Sequence, residues 1–322
     1  MYYRRKILLA LLEAYGGFLT KIDCQKLVLL FCQRRGKNYY DFFPHTSGNF
    51  SLILAQDKSR LTALGLLTEH RDFQLKDNPS YFAQLEPQDR TVLRSLMAEI
   101  GNIRGDELIH KVYLELPHYV SRSQLATRIL TEHEYEQISR TWKHDHTPCL
   151  FTIGYEGLSL DAYLDLLISH DIATLVDVRK NPISMKYGFS KKRLADYTQF
   201  AGIDYIHIPD LGIASNLRQQ LNDPADYQNL FAFYSSHILP AHAQALEQLK
   251  QIVFNKGRVA ITCFEADHHF CHRHKITEYL ETDPGFNIPI SHLHKHEAYI
   301  TIISSSPPSN GFWEQKALYS SI

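Results

Sequence analysis

Apolar residues recur at helical spacing through the first 75 positions: Ile7, Leu8, Leu11 and Leu12, then Leu27, Leu30 and Phe31 beyond Gly16-Gly17. Steps of three and four place such residues on one face of a 3.6-residue helix, so two helices are predicted, broken by the glycine pair. Tyr40 to Phe50 carries Pro44 and Gly48 and reads as a loop. Leu52, Leu54, Leu61, Leu64, Leu66 and Leu67 predict a third helix that leaves through Gly65. Helix, helix, loop, helix and a short extended return is the outline of a winged helix.

The pattern changes near residue 148. Short apolar runs at Cys149–Ile153, Ile172–Val178, Tyr205–Ile208 and Val259–Ile261 predict strands, the last ending at Cys263. Between them lie helical patterns: Leu160, Tyr163, Leu164 and Leu167; Lys191 to Phe200; about Ala241 to Val253; and a helix starting near Cys271 with Ile276, Tyr279 and Leu280 on its apolar side. Alternating strands and amphipathic helices build a parallel sheet. The expected fold class is α/β: a Rossmann-like parallel-sheet domain over 148–322, preceded by a mainly helical, winged-helix-like domain over 1–140. The charged stretch Glu132 to Thr147, before Pro148, is expected to be a hinge.

Composition adds limits. A chain of 322 residues exceeds the usual single core, and 44% hydrophobic with 21% charged residues excludes a wholly disordered chain. A net charge of −1 gives no global attraction to nucleic acid, so any such binding must be local. Met1 to Tyr40 carries eight Lys/Arg against two acids, and Asp177 to Arg193 carries six against one. Within the first run Arg34, Arg35 and Lys37 are the candidate nucleic-acid contacts. Five scattered cysteines are no disulfide framework. The apolar run Ile7 to Leu12 is too short for a signal peptide and no stretch reaches the length of a membrane span, so a cytoplasmic protein with no membrane partner is expected.

Candidate chemistry gathers at the ends of the predicted strands. Tyr155 and Glu156 follow the first, Asp177 and Arg179 end the second, and Tyr205, His207 and Asp210 flank the third. Cys263-Phe-Glu265 and Cys271-His272-Arg273 follow the last. Such ends share one edge of a parallel sheet, where ligands bind. Arg179, Arg273 and the helix start are expected to hold an anion, with Glu156 or Glu265 as acid/base and Tyr155 stacking on the substrate. Asp177–Arg179 and Glu265–Arg273 also read as structural ion pairs. Cys263 reads as a small buried hydrophobe or a reactive thiol. Cys271, beside His272, Arg273 and a helix start, is expected to have a lowered pKa.

Cys263, His268, His269, Cys271, His272 and His274 are zinc-type ligands, yet their spacing matches no standard pair of chelating hooks. Adjacent Cys271 and His272 are not expected to share one ion, so neither a metal nor another cofactor is expected. The alternating His292, His294 and His296 are expected on one exposed face of a final strand.

Two resemblances go further. Cys24-Gln-Lys-Leu-Val-Leu-Leu-Phe31, Tyr40-Asp-Phe-Phe-Pro44, Ser47-Gly-Asn-Phe-Ser51 and Leu61-Thr-Ala-Leu-Gly-Leu-Leu67 resemble the SocA-like antitoxin (Panacea) domain and its winged-helix relatives, with Asn49 where that family has Pro. Gly105 to Pro117 and Ser121-Arg-Ser123 fit the same module, giving coverage over 1–140. In the second half Ile153-Gly-Tyr-Glu-Gly157, Asp177-Val-Arg179 with Asn181-Pro182, Phe189-Ser190, His207-Ile-Pro209 with Leu211-Gly212, Cys263-Phe-Glu265 and Cys271-His-Arg273 resemble, in order, the domain-of-unknown-function 488 family over 148–300. That resemblance implies a Rossmann-like domain and brings no settled reaction. The strand-end Asp177-Val-Arg179 and Cys263 are also similar to the rhodanese arrangement.

The expected function is a nucleotide- or nucleic-acid-directed enzyme, hydrolase or glycosylase-like, with an N-terminal recognition domain; the first resemblance implies a phage-defence setting. Its expected partner is a nucleotide or nucleic acid, DNA foremost, with a protein partner through the N-terminal domain as a further expectation. The alternatives are a non-catalytic sensor of a nucleotide or modified base, or a transcriptional regulator, and a thiol-dependent, rhodanese-like enzyme.

Overall fold

A computed structural model describes residues 1–77, 80–142, 144–218 and 224–294 of the chain. The first half runs α1 (Tyr3–Ala14), β1 (Phe18–Leu19), α2 (Lys21–Arg35), β2 (Phe43–His45), β3 (Gly48–Phe50), α3 (Leu52–Ala63), β4 (Phe73–Gln74), α4 (Pro87–Ile100), α5 (Gly105–Glu115), α6 (Ala126–Ile129) and α7 (Glu132–Ser139). Thr20 caps α2 by accepting from the Asp23 amide, and Gly36 closes it in the left-handed region. Ten consecutive residues of α2, Asp23 to Cys32, are buried, where the pattern predicts one apolar face. The helix is wrapped because α1, α4 and α5 pack around it.

Two other expectations need correction. The expected loop Tyr40–Phe50 folds as an antiparallel hairpin in which Phe43 faces Phe50 and Gly48 turns at φ +91°. The expected hinge contains α7, started by a reciprocal capping box between Thr131 and Glu134 and anchored by buried Ile138.

The second half runs β5 (Cys149–Gly154), α8 (Leu160–Ser169), β6 (Thr174–Asp177), α9 (Lys191–Phe200), β7 (Asp204–His207), α10 (Pro224–Phe233), α11 (Leu239–Ala241), α12 (Ala243–Lys256), β8 (Arg258–Cys263), α13 (His272–Glu281) and β9 (Ile290–Leu293). The five strands are all parallel, in the order β7-β6-β8-β5-β9. Alternate strand residues feed two cores. Phe151, Ile153, Leu175 and Ala260 pack with α8 and α9, while Leu150, Val176, Val259 and Ile261 pack with α12 and α13. Helices therefore cover both faces, which is why β6 and β8 are buried at every position and read as continuous apolar runs.

The two halves are tied by buried polar contacts. Asp161 of α8 is fully buried and accepts from Ser51 Oγ (2.7 Å), Leu52 N (2.8 Å) and Ile53 N (3.1 Å), so it caps the start of α3 across the interface. Burial pushes its carboxyl up to about 7, against the pull of those hydrogen bonds. Ser159 donates to Asp41 (2.6 Å), His118 pairs with Asp165 (2.6 Å) and His45 stacks on Phe200 at 4.3 Å. Phe43 of the hairpin belongs to the sheet's own core.

Candidate active site

At the carboxyl end of β6 the chain closes an ion pair on itself. Asp177, fully buried, accepts from Arg179 Nε (2.9 Å) and a terminal guanidinium nitrogen (2.6 Å), from the Arg179 amide (3.0 Å) and from Tyr205 OH (2.7 Å). The other guanidinium nitrogen donates to Tyr155 OH (2.8 Å) and Phe189 O (2.9 Å). Tyr155 is held in turn by stacking on Phe189 at 4.3 Å. His207 reaches Arg179 O at 2.8 Å. Every member of this group is engaged inside the protein, as the structural reading of Asp177–Arg179 expects.

Arg273 is equally internal. Only 1% exposed, it donates to Glu265 O (2.5 Å) and Ala266 O (3.0 Å), with Nε 3.4 Å from Thr152 Oγ1. Its guanidinium thus rests on backbone carbonyls of the loop that carries Glu265. From the other side Glu156, exposed, accepts from the Ala266 amide at 2.9 Å and so braces the loop. Gly154 lets this loop lie on the strand end, since a Cβ there would sit 1.8 Å from Glu265 O.

The braced loop joins two thiols to an imidazole. Cys263, the last residue of the central strand β8, and Cys271, the residue before α13, are each 1% exposed, and His272 is fully buried. Cys263 Sγ lies 3.7 Å from His272 Nδ1 and 3.3 Å from Glu265 Oε2; Cys271 Sγ lies 3.9 Å from the same ring nitrogen. His272 Nε2 is 3.1 Å from Val178 O. A carbonyl can only accept, so in the neutral ring Nε2 carries the proton and Nδ1 turns its lone pair to the sulfurs. Burial pushes the Cys271 thiol well above its usual range, with Cys263 and Glu265 adding to the rise. The expected fall does not occur, because burial outweighs the lowering pull of the Arg273 guanidinium.

A cleft of about 240 Å³ opens beside this cluster, lined by Ile213, Tyr227, Leu230, Phe231, Glu265, Phe270 and His272. Tyr227 and Phe270 meet edge to face at 6.1 Å. Of the residues expected at a ligand, Glu265 and His272 reach the cleft, Cys263 and Cys271 stand against His272, and Tyr155, Glu156, Asp177, Arg179 and Arg273 form the frame. The aromatic wall from α10 was not foreseen, although Tyr227 and Phe231 stand one helical turn apart in the sequence. Val178 O is a backbone group that no residue pattern announces.

The basic run of the first half lies outside this site and is internally paired. Arg4 and Arg5 share buried Asp57 (2.6 and 2.7 Å), Arg34 bridges Glu99 and Glu115 (both 2.7 Å), and Arg35 meets Asp89 (2.7 Å). The Lys37 ammonium lies 4.8 Å over the Tyr39 ring. Arg34 and Arg35 thus hold helices together. At the other basic run Lys191, Lys192 and Arg193 are exposed at the start of α9. His292 stacks on His268 at 3.8 Å and meets Thr152 Oγ1 at 2.8 Å, so it is not simply an exposed edge residue; His296 lies outside the described residues.

Residues 159–280 match the family described as the domain of unknown function DUF488, which includes α8 through nearly all of α13 and every residue of the thiol–imidazole cluster. No curated protein and no solved structure matches the chain.

Proposed function

We propose that the α/β half is a hydrolytic enzyme acting on a small, flat, uncharged ring, such as the base of a nucleoside, nucleotide or nucleic acid. The observation that carries this reading is a single cleft in which a carboxylate and an imidazole, Glu265 and His272, face the aromatic side chains Tyr227, Phe231 and Phe270. Aromatic walls hold a ring by offset or edge contacts. A carboxylate at the mouth takes a proton from attacking water and returns it to the leaving group. The lining described contains no Lys or Arg, which favours an uncharged reacting part and leaves any phosphate outside the cleft. The helical half docks on α8 and α9 through Asp161, Asp165 and Phe200.

Incubation of the full chain with a panel of nucleosides, nucleotides and short single-stranded oligonucleotides, followed by chromatography, tests the reading. The expected product is a base altered at its ring or exocyclic amine, or a base released. Phe270→Ala should raise KM about fivefold, the scale of one lost aromatic contact of ~1 kcal/mol. Binding of a panel member without any product would favour the sensor reading instead.

The Cys263–His272 separation of 3.7 Å favours a second reading, a thiol nucleophile with an imidazole base. Its mark is a covalent adduct on Cys263 that forms during turnover.

A further inference from the structure

Taking the thiol–imidazole cluster as the reacting centre, but without dependence on the substrate, we infer that it binds one zinc-class divalent cation. The ligands are Cys263 Sγ, Cys271 Sγ and His272 Nδ1, and the fourth position lies on the Glu265 side. These three ligand atoms all fall within 4.8 Å of one another, with measured S–N separations of 3.7 and 3.9 Å. Zinc bonds of about 2.3 Å to sulfur and about 2.0–2.1 Å to nitrogen put the edges of a tetrahedral site at roughly 3.5–3.8 Å. The two S–N edges are thus within a few tenths of an ångström of that geometry, and the sulfurs, no more than 4.8 Å apart, would draw together on the ion.

The surroundings suit that role. The imidazole is fixed in position by Val178 O at 3.1 Å, the outer contact that a metal-bound histidine ordinarily makes through its second nitrogen. All three ligand side chains are almost wholly removed from water. Sequence spacing argued against neighbours sharing an ion, and the backbone explains why it misleads here. Cys271 is extended (φ −130°, ψ 140°) while His272 begins the helix, so the turn between them brings both side chains to one point. On binding, each thiol releases its proton to solvent and the cation takes the two sulfur lone pairs. Two thiolates and an imidazole prefer zinc, or cobalt as its spectroscopic substitute, to magnesium or calcium. Glu265 Oε2, 3.3 Å from the Cys263 sulfur, is placed to accept a proton from water in the fourth position. A Cys–Cys–His zinc with a neighbouring non-ligand Glu is a set that hydrolyses exocyclic amines of bases.

The test uses the full chain, kept reduced, stripped with a chelator and titrated with zinc and with cobalt. One equivalent should bind, and the cobalt form should show thiolate-to-metal charge transfer with tetrahedral visible bands. Cys263→Ser, Cys271→Ser and His272→Ala should each weaken binding by more than the about 10–100-fold typical of lost outer contacts. Glu265→Gln should keep the metal. Cobalt bands without thiolate character would overturn the inference. So would binding that survives both cysteine changes, which would assign the ion to Asp267, His268 and His269. Should a cysteine variant fail to fold, the cobalt spectrum of the parent decides alone. Stoichiometric metal without any base-directed turnover would leave the inference standing and remove the proposed reaction. Base-directed turnover by a chain that binds neither zinc nor cobalt would do the reverse.

Discussion

Asp177→Ala is expected to destabilise the protein by about 3–5 kcal/mol, the scale for a buried ion pair that loses one partner. The carboxylate is fully buried and holds Arg179 through three hydrogen bonds and Tyr205 through a fourth. Its removal leaves a guanidinium that is 7% exposed without its counter-charge. Replacing both residues, as Asp177→Ala with Arg179→Met, should cost less than the single change, because no buried charge is then stranded. Equilibrium denaturation of the three proteins measures this. A single change costing under ~1 kcal/mol would instead mark the pair as solvated and available to a ligand.

Arg273→Ala is expected to cost about 3–5 kcal/mol and to remove whatever activity the site has. Its side chain fills a closed space and satisfies the carbonyls of Glu265 and Ala266. Without it the loop loses the contacts that position Glu265. Arg273→Lys, with one ammonium in place of a planar fork, should be intermediate in stability. Melting curves beside hydrogen exchange at 264–268 would check the effect; unchanged protection there would contradict it. Arg273 acts here as a positioning residue, and no contact with substrate is assigned to it.

The architecture of the second half was legible because its central strands are buried on both faces. Leu175-Val176 and Val259-Ala260-Ile261 are apolar without alternation, as a doubly covered parallel strand requires. The helix after Cys271 was legible from Ile276 and Leu280, which are buried, whereas its first turn buries His272, Arg273 and His274 and Tyr279 is exposed. The hairpin at Phe43–Phe50 was not, since Pro44 and Gly48 look like loop residues and its packing partner α8 lies more than a hundred positions away. Residue type likewise placed the strand-end side chains on one edge but could not assign their duties. Arg179, Arg273, Arg34 and Arg35 are each occupied by groups from other segments or turns, and a count of charges shows none of those partners. That Cys271 and His272 both meet Cys263 was not legible either, since it follows from the extended backbone at Cys271.

The central claim is that Glu265 and the thiol–imidazole cluster carry the chemistry while the arginines serve as frame. The measurement that tests it most directly is the turnover of Glu265→Gln on the base substrate that the parent processes best, with zinc supplied and folding verified by its melting curve. Loss of the proton-transfer group predicts a fall in kcat of about 10²–10⁴-fold with little change in KM or melting temperature. A variant that turns over at the parent's rate, with the same fold, would contradict the account.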